Sequence, residues 1–381
     1  MRRREFLQTS AAVVAGGLLP VRAQTPAPPD VPWLGRIQTP PAVLPADAPR
    51  LSDLLVFGNT GRPIGTRGAW QVQRPLLRQR WLTFLGPAPA RAGAPWPNFP
   101  GPLPPPVGAP AWKVIEQDRI DGIVRARIAY DVEPGVGTEA YLLRPEAPPP
   151  VGGRPGVVVL HSTVDHSILQ PAGLGPDPEK AFGLTLARRG IVTISPRNFL
   201  YPTNKGIAAQ AETVRFHQRY PQSKGMARML HDGQVALDLL GALPDVNAER
   251  LGCVGHSLGA KEALYLAAFD ERVRVAVSSE GGIGLRFSNW DAEWYLGASI
   301  NDPSFAHEHH ELLALVAPRP FLLIGGDSAD GDRSWPFIDA ALPVYRLYGG
   351  TPRMGLLNHK QGHAVPPEAE RAIVEWFAAY L

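Results

Sequence analysis

Leu251-Gly252-Cys253-Val254-Gly255-His256-Ser257-Leu258-Gly259-Ala260-Lys261 is the stretch on which the fold turns. Residues 251–254 form a short apolar run with strand character. Residues 258–269 carry apolar side chains at helical spacing. Between them stands G-x-S-x-G, a serine on a tight strand-to-helix turn. Two glycines flank the serine because bulky neighbours there would clash, and the turn pushes the hydroxyl to the end of the strand. The amide of Leu258 points to the same place and supplies half of an oxyanion hole.

Working outward, strands and helices alternate. Short apolar strands are expected at 156–160, 191–195, 251–254, 273–278, 321–324 and 354–357. Helices are expected at 179–189, 226–243, 258–269 and 367–381, with further helices after the 273–278 and 321–324 strands. Continuous apolar strands separated by helices predict an α/β fold, a mostly parallel central sheet covered on both faces. Residues 112–120, 123–131 and 139–143 read as antiparallel strands at one sheet edge. The catalytic domain is expected to span 112–381.

Ahead of it, residues 24–50 hold eight prolines and residues 87–110 ten. A short helix is expected at 70–85 between them. Residues 24–50 read as an extended linker or a segment that wraps the surface, within a proline-rich N-terminal extension over 24–111. Residues 1–23 read as an export signal. A basic start precedes an apolar run, 11–19, and the small-x-small triplet Val21-Arg22-Ala23. Arg3-Arg4-Glu5-Phe6-Leu7 resembles the twin-arginine motif R-R-x-F-L. The expectation is a periplasmic or secreted protein handled by the twin-arginine (Tat) translocase and left with no membrane anchor once the signal is removed.

The 381 residues include 42 Pro, 39 Gly and a single Cys, with 44% apolar residues. That apolar share supports a core, and one cysteine excludes an internal disulfide framework. The formal charge of +3 is carried by residues 1–23, so the remainder is neutral. Neutrality gives no electrostatic reason to expect nucleic acid as a partner.

A serine nucleophile needs a base and an acid. His363, in Gly362-His363 between the last strand and last helix, is the base; His359 is its rival. For the acid, the order Ser…Asp/Glu…His allows two places. Asp332, four residues before Pro336, is the first choice, with Asp330 and Asp327 as competitors in the same loop. Glu280, ending the strand at 273–278, is the other. The second oxyanion donor is expected near Ser162, after the 156–160 strand. His161 is a candidate pocket residue, as are Trp290, Asp291, Trp294 and Tyr295 beside Glu280. Arg197 and Asn198 end another strand at the same sheet edge. His307-Glu308-His309-His310-Glu311 has metal-ligand residue types but is read as part of a helix. No metal or cofactor is expected. Cys253 reads as a small buried hydrophobe.

From Gly156 onward the chain resembles the α/β-hydrolase superfamily, and within it the dienelactone hydrolase and carbohydrate esterase branch. His310-Glu311-Leu312-Leu313-Ala314-Leu315 followed by Ala317-Pro318-Arg319-Pro320 is similar to a segment of glucuronoyl esterases and acetylxylan esterase-like proteins. Ser257, Lys261 and Glu280 match the serine, lysine and glutamate of glucuronoyl esterases. That resemblance implies a serine ester hydrolase acting on small-molecule or polysaccharide esters, acetyl or glucuronoyl, with Lys261 on sugar hydroxyls. Leu258 stands where those esterases have an arginine. The same triad also serves peptidases and acyltransferases, and a non-catalytic binding protein on this scaffold is the reading from another class.

Overall fold

The computed structural model describes residues 30–58, 60–89 and 108–381. The expected export signal and most of the second proline run lie outside the described residues.

Nine strands form one sheet: β1 (Trp112–Ile120), β2 (Ile123–Glu133), β3 (Val136–Pro145), β4 (Arg154–Leu160), β5 (Val192–Pro196), β6 (Val246–His256), β7 (Val273–Ser279), β8 (Phe321–Gly325) and β9 (Met354–Asn358). Their spatial order is β1-β2-β3-β5-β4-β6-β7-β8-β9. The first three pair antiparallel, β3 meets β5 antiparallel, and every later pairing is parallel. The helices are α1 (Leu34–Ile37), α2 (Arg67–Leu85), α3 (Phe182–Ala187), α4 (Ala209–Arg219), α5 (Gly225–Gly241), α6 (Leu258–Phe269), α7 (His310–Val316), α8 (Trp335–Arg346) and α9 (Pro367–Tyr380).

The period-2 alternation of strands divides the core between two faces. In β4, Val157 and Val159 join a cluster with Phe182 and Leu186 of α3 and Ile373, Trp376 and Phe377 of α9. Val158 and Leu160 join the other cluster, with α2, α5, α6, α7 and α8. Runs such as Val157-Val158-Val159-Leu160 are apolar throughout because both faces are covered. The parallel sheet with helices on both faces is as the sequence predicts.

Three elements differ from expectation. Strand β6 begins at Val246, five residues early, because Val246 pairs with Arg154 of β4. The helix expected at 179–189 breaks into a 3-10 turn at Pro178–Lys180 and the six-residue α3. Helix α4 was not anticipated. Only Thr213 and Phe216 of it are buried, too thin a stripe to signal a helix.

The N-terminal segment does more than wrap the surface. Trp70, Leu77, Trp81 and Leu85 of α2 lie fully inside the main core cluster. Thr66 caps this helix, its hydroxyl accepting from the Ala69 amide at 3.2 Å. Trp81 Nε1 donates to Glu311 Oε2 at 2.6 Å, tying α2 to α7. Residues 34–38 cover the β9 edge. A Cβ at Gly355 would sit 2.5 Å from Ile37 Cγ1, and Gln38 Nε2 donates to Met354 O at 3.0 Å. The opposite edge, β1, is exposed along nearly its whole length. A register shift between Val114 and Glu116 and the charges of Lys113, Glu116, Asp118 and Arg119 blunt it against further pairing.

Candidate active site

Sheet register brings the site together. His256 of β6 lies opposite Ser279 of β7, so Ser257 and Glu280 leave the sheet side by side. Ser279 lies opposite Ile324 of β8, and Gly325 opposite Asn358 of β9. The loops after β6, β7, β8 and β9 therefore open at one level, the carboxyl end of the parallel strands, where open α/β sheets bind their ligands.

Ser257 stands on a strained turn, with φ 59° and ψ −116°. A non-glycine residue there carries a steric cost. The surroundings enforce it. A Cβ at Gly255 would lie 2.1 Å from the Gly259 carbonyl carbon, and one at Gly259 would lie 2.1 Å from Leu160 O. The Ser257 amide donates to Ser279 O at 2.9 Å, which locks the turn to β7. Leu258 opens α6, and an amide in the first turn of a helix has no intrahelical acceptor.

His363 Nδ1 lies 3.1 Å from Glu280 Oε2. Glu280 is 1% exposed and has φ 55°. Its Oε1 accepts from the Gly326 amide, and its Oε2 also accepts from the Ala329 amide at 2.8 Å. Backbone donors satisfy the buried carboxylate and leave one oxygen facing the imidazole. The His363 ring packs against the His256 ring, centroids 4.7 Å apart, beside the serine turn. His256 Nδ1 is 3.1 Å from Ser279 Oγ, and burial pushes its pKa down to about 3, so it stays neutral. This arrangement suits proton transfer at His363 Nε2, with Nδ1 held by a carboxylate.

Asp332, the first choice for the acid, is placed elsewhere. Its Oδ1 accepts from Asn358 Nδ2 at 2.8 Å and its Oδ2 pairs with Lys360 Nζ at 2.9 Å. Partial burial opposes ionisation, but those two donors hold the carboxyl below its ordinary pKa. Asp332, Asn358 and Lys360 line a cavity of about 470 Å³ with Arg36, Thr39 and Trp335; Ser257, Glu280 and His363 do not line it. Asp327 is a turn residue with φ 66°, accepting from Asn358. Asp330 is fully buried and bonded to the backbone of the β7 loop. His359 is 8% exposed, and its Nδ1 accepts from the Gln361 amide at 3.1 Å. Burial lowers its pKa, and it has no carboxylate contact of the kind His363 has.

The expected pocket residues have partners of their own. His161 donates from Nδ1 to Ser162 O at 2.8 Å and accepts at Nε2 from the Asn198 amide at 3.1 Å. Both ring nitrogens are used internally, and burial lowers its pKa to about 4. It is a structural histidine. The Ser162 amide donates to Gln170 Oε1 at 3.0 Å and is thus engaged; its hydroxyl is buried without a partner among the described residues. Trp290 is fully buried, its Nε1 donating to Gly282 O at 2.7 Å.

Lys261 is only 4% exposed. Its Nζ sits over the Trp290 ring, 4.1 Å from the centroid, and 4.7 Å from the Tyr295 centroid. It has no hydrogen-bond partner among the described residues. Burial pulls its pKa down to about 7, with Asp330 opposing. The ammonium is closed off from water by the aromatic pair.

Arg197 pairs with Glu139, and His307 pairs with Glu311. His309 bonds Tyr265 and Ile283 O, while His310 bonds Ser52. These histidines point to different partners. Among the described residues, no three His, Cys, Asp or Glu are grouped to hold a metal ion. Cys253 is buried, which raises its thiol pKa. No described helix is long and apolar enough to cross a membrane.

Sequence reasoning missed Gly326, Ala329 and Gln170. They act through backbone amides or a loop side chain, contacts with no sequence pattern of their own. The doubled glycine at the end of β8 is the one visible hint.

The chain has the α/β-hydrolase fold. No family model matches the sequence. Putative hydrolase YtaP of Bacillus subtilis is 31% identical over 124 residues, which is 31% of this chain and 40% of that protein. A glucuronoyl esterase from Solibacter usitatus superposes with TM-score 0.65 at 18% identity, covering 89% of this chain and 99% of that one. A glucuronoyl esterase from Teredinibacter turnerae gives 0.60 at 20% identity, covering 86% and 88%. A putative acetyl xylan esterase from Bacteroides fragilis gives 0.56 at 14% identity, covering 84% and 81%.

Proposed function

We propose that the protein is an exported serine ester hydrolase acting on carbohydrate-linked esters, acetyl or glucuronoyl. The observation that carries this reading is the contact of His363 Nδ1 with Glu280 Oε2 beside the strained Ser257 turn. Ser257 Oγ attacks the ester carbonyl while His363 Nε2 takes its proton. Glu280 holds the Nδ1–H tautomer and stabilises the imidazolium that forms. The Leu258 amide stabilises the oxyanion, and the unpartnered Ser162 hydroxyl is the nearby candidate for a second donor, since its amide is taken. His363 then protonates the leaving alcohol. Water, activated by the same imidazole, hydrolyses the acyl-enzyme.

The carbohydrate part of the reading rests on the Ser257, Lys261 and Glu280 match and on the esterases that share the fold. Leu258 supplies no guanidinium to the acyl group, which favours acetyl esters. For Lys261 to grip a sugar hydroxyl, the Trp290–Tyr295 cage must open. Export rests on residues 1–23.

The test is turnover of 4-nitrophenyl acetate and of a benzyl glucuronate ester by the full chain, with Ser257→Ala beside it. Serine-dependent cleavage is expected, lost by about 10⁴-fold or more in the variant. Equal rates in both proteins would overturn the reading.

A further inference from the structure

The loops after β7 and β8 exchange carboxylates. Glu280, from the β7 loop, accepts the amides of Gly326 and Ala329 in the β8 loop. Asp330, from the β8 loop, accepts the amides of Gly282 and Ile283 in the β7 loop, at 2.7 and 2.8 Å. Ser334 Oγ donates to Asp330 Oδ1 at 2.8 Å. Burial and the nearby Glu280 carboxyl raise the pKa of Asp330 while these three donors pull it back, so what the geometry fixes is a carboxyl held by three donors. The Asp330 carbonyl also accepts from the Gly326 and Asp327 amides, at 3.1 and 2.9 Å. One residue thus holds the backbone just after Glu280 and folds the loop that supplies donors to Glu280.

The third loop joins at the same point. The Gly362 amide donates to Gly326 O at 2.7 Å, so the residue before His363 hangs on the residue that binds Glu280. Glu280 itself has φ 55°, a conformation that persists only when neighbours over-determine it. The amides gripped by Asp330 are those of the second and third residues beyond it.

We infer that Asp330 is a positioning residue that clamps Glu280 in its left-handed conformation, behind the Glu280–His363 pair. This rests on the proposed roles of Ser257, Glu280 and His363. The groups facing that pair are His256 from the end of β6, against His363, and His359 on the loop after β9 and Asp330, both near Glu280; Asp327 faces His359 and Lys261 of α6 faces Asp330. Asp330 and Glu280 are both buried carboxyl groups. Breaking the Asp330 clamp lets Glu280 drift from the imidazole, which makes the imidazolium less favourable. The pKa of His363 then falls.

The experiment compares the wild-type chain with Asp330→Asn and Ser334→Ala. The His363 imidazole is titrated by NMR, its signal assigned by loss in His363→Gln. In Asp330→Asn, the titration is expected to move down by about half a pH unit or more. The acid limb of kcat/KM on 4-nitrophenyl acetate should move with it. kcat should fall about 10-fold or more with KM within about 2-fold, per active site counted by fluorophosphonate. Ser334→Ala should move both quantities the same way by a smaller amount. A folded Asp330→Asn with an unmoved titration overturns the inference. If Asp330→Asn does not fold, an unmoved titration in Ser334→Ala overturns it instead. A shifted titration without serine-dependent turnover would keep the clamp and sink the catalytic reading.

Discussion

The loops after β7 and β8 each bring carboxylates to the same end of the sheet, yet Glu280 and Asp332 have opposite fates. Glu280 is buried, bound by two backbone amides and in contact with His363. Asp332 is partly exposed and spends both oxygens on Asn358 and Lys360. Proximity in the chain to a helix start does not make a carboxylate a partner for the imidazole. Burial with fixed donors does, because a rigid low-dielectric site keeps the charge aimed without solvent competing for it.

Exchanging the two acids for amides is the most direct way to break that comparison. Glu280→Gln is expected to lower kcat by about 10² to 10⁴-fold, since the tautomer and the imidazolium both lose support. Asp332→Asn should stay within about 3-fold of wild type, as an exposed ion pair of this kind is worth little. Parallel kinetics on 4-nitrophenyl acetate decide it. Loss in Asp332→Asn with retention in Glu280→Gln would reverse the assignment.

Gly326→Ala sharpens it. A Cβ there would lie 2.0 Å from Gly362 O and 2.5 Å from His359 Cε1. Backbone on the His363 loop must shift, so kcat is expected to drop by about 10-fold or more while the fold persists. Unchanged turnover would show that the loop yields without moving His363.

The Lys261 cage gives the smallest effect and a different readout. With its pKa near 7 when folded and near 10.4 when unfolded, the unfolded chain binds more protons between those values. Stability attributable to Lys261 therefore rises with pH from about 7 to 10, and its full burial penalty applies below 7. Lys261→Met should raise Tm at pH 6 by a few degrees and flatten that rise. A lower Tm at pH 6 would mean the cation–π contacts outweigh desolvation. Activity on the acetate should change little, whereas loss confined to the glucuronate ester would place Lys261 against the sugar.

Much of this molecule was legible beforehand. The parallel sheet followed from apolar strands of four to six residues, and the serine turn from two glycines whose Cβ positions are occupied. His363 is read as the base from its place between the last strand and helix, and the structure sets its Nδ1 3.1 Å from Glu280 Oε2. The buried role of α2 was obscured by the proline runs on either side, since composition reports on flexibility of a segment and not on what it packs against. Lys261 is read against sugar hydroxyls through the resemblance and Trp290 as a candidate pocket or core residue; helical spacing from Ser257 places the first near the site and the loop after Glu280 the second, but their enclosure depends on the 283–300 loop folding back.

What the sequence by itself determined is local. Strand, tight turn and helix around Ser257 are dictated by sterics within about ten residues, and those sterics hold wherever the segment is placed. The tertiary structure alone decided which acid meets His363. That choice depends on strand order and register, which set β7, β8 and β9 side by side, and on amides of Gly326 and Ala329 lying 46 and 49 residues from Glu280. Backbone donors look alike in every sequence, so their convergence on one carboxylate appears only once the sheet has formed.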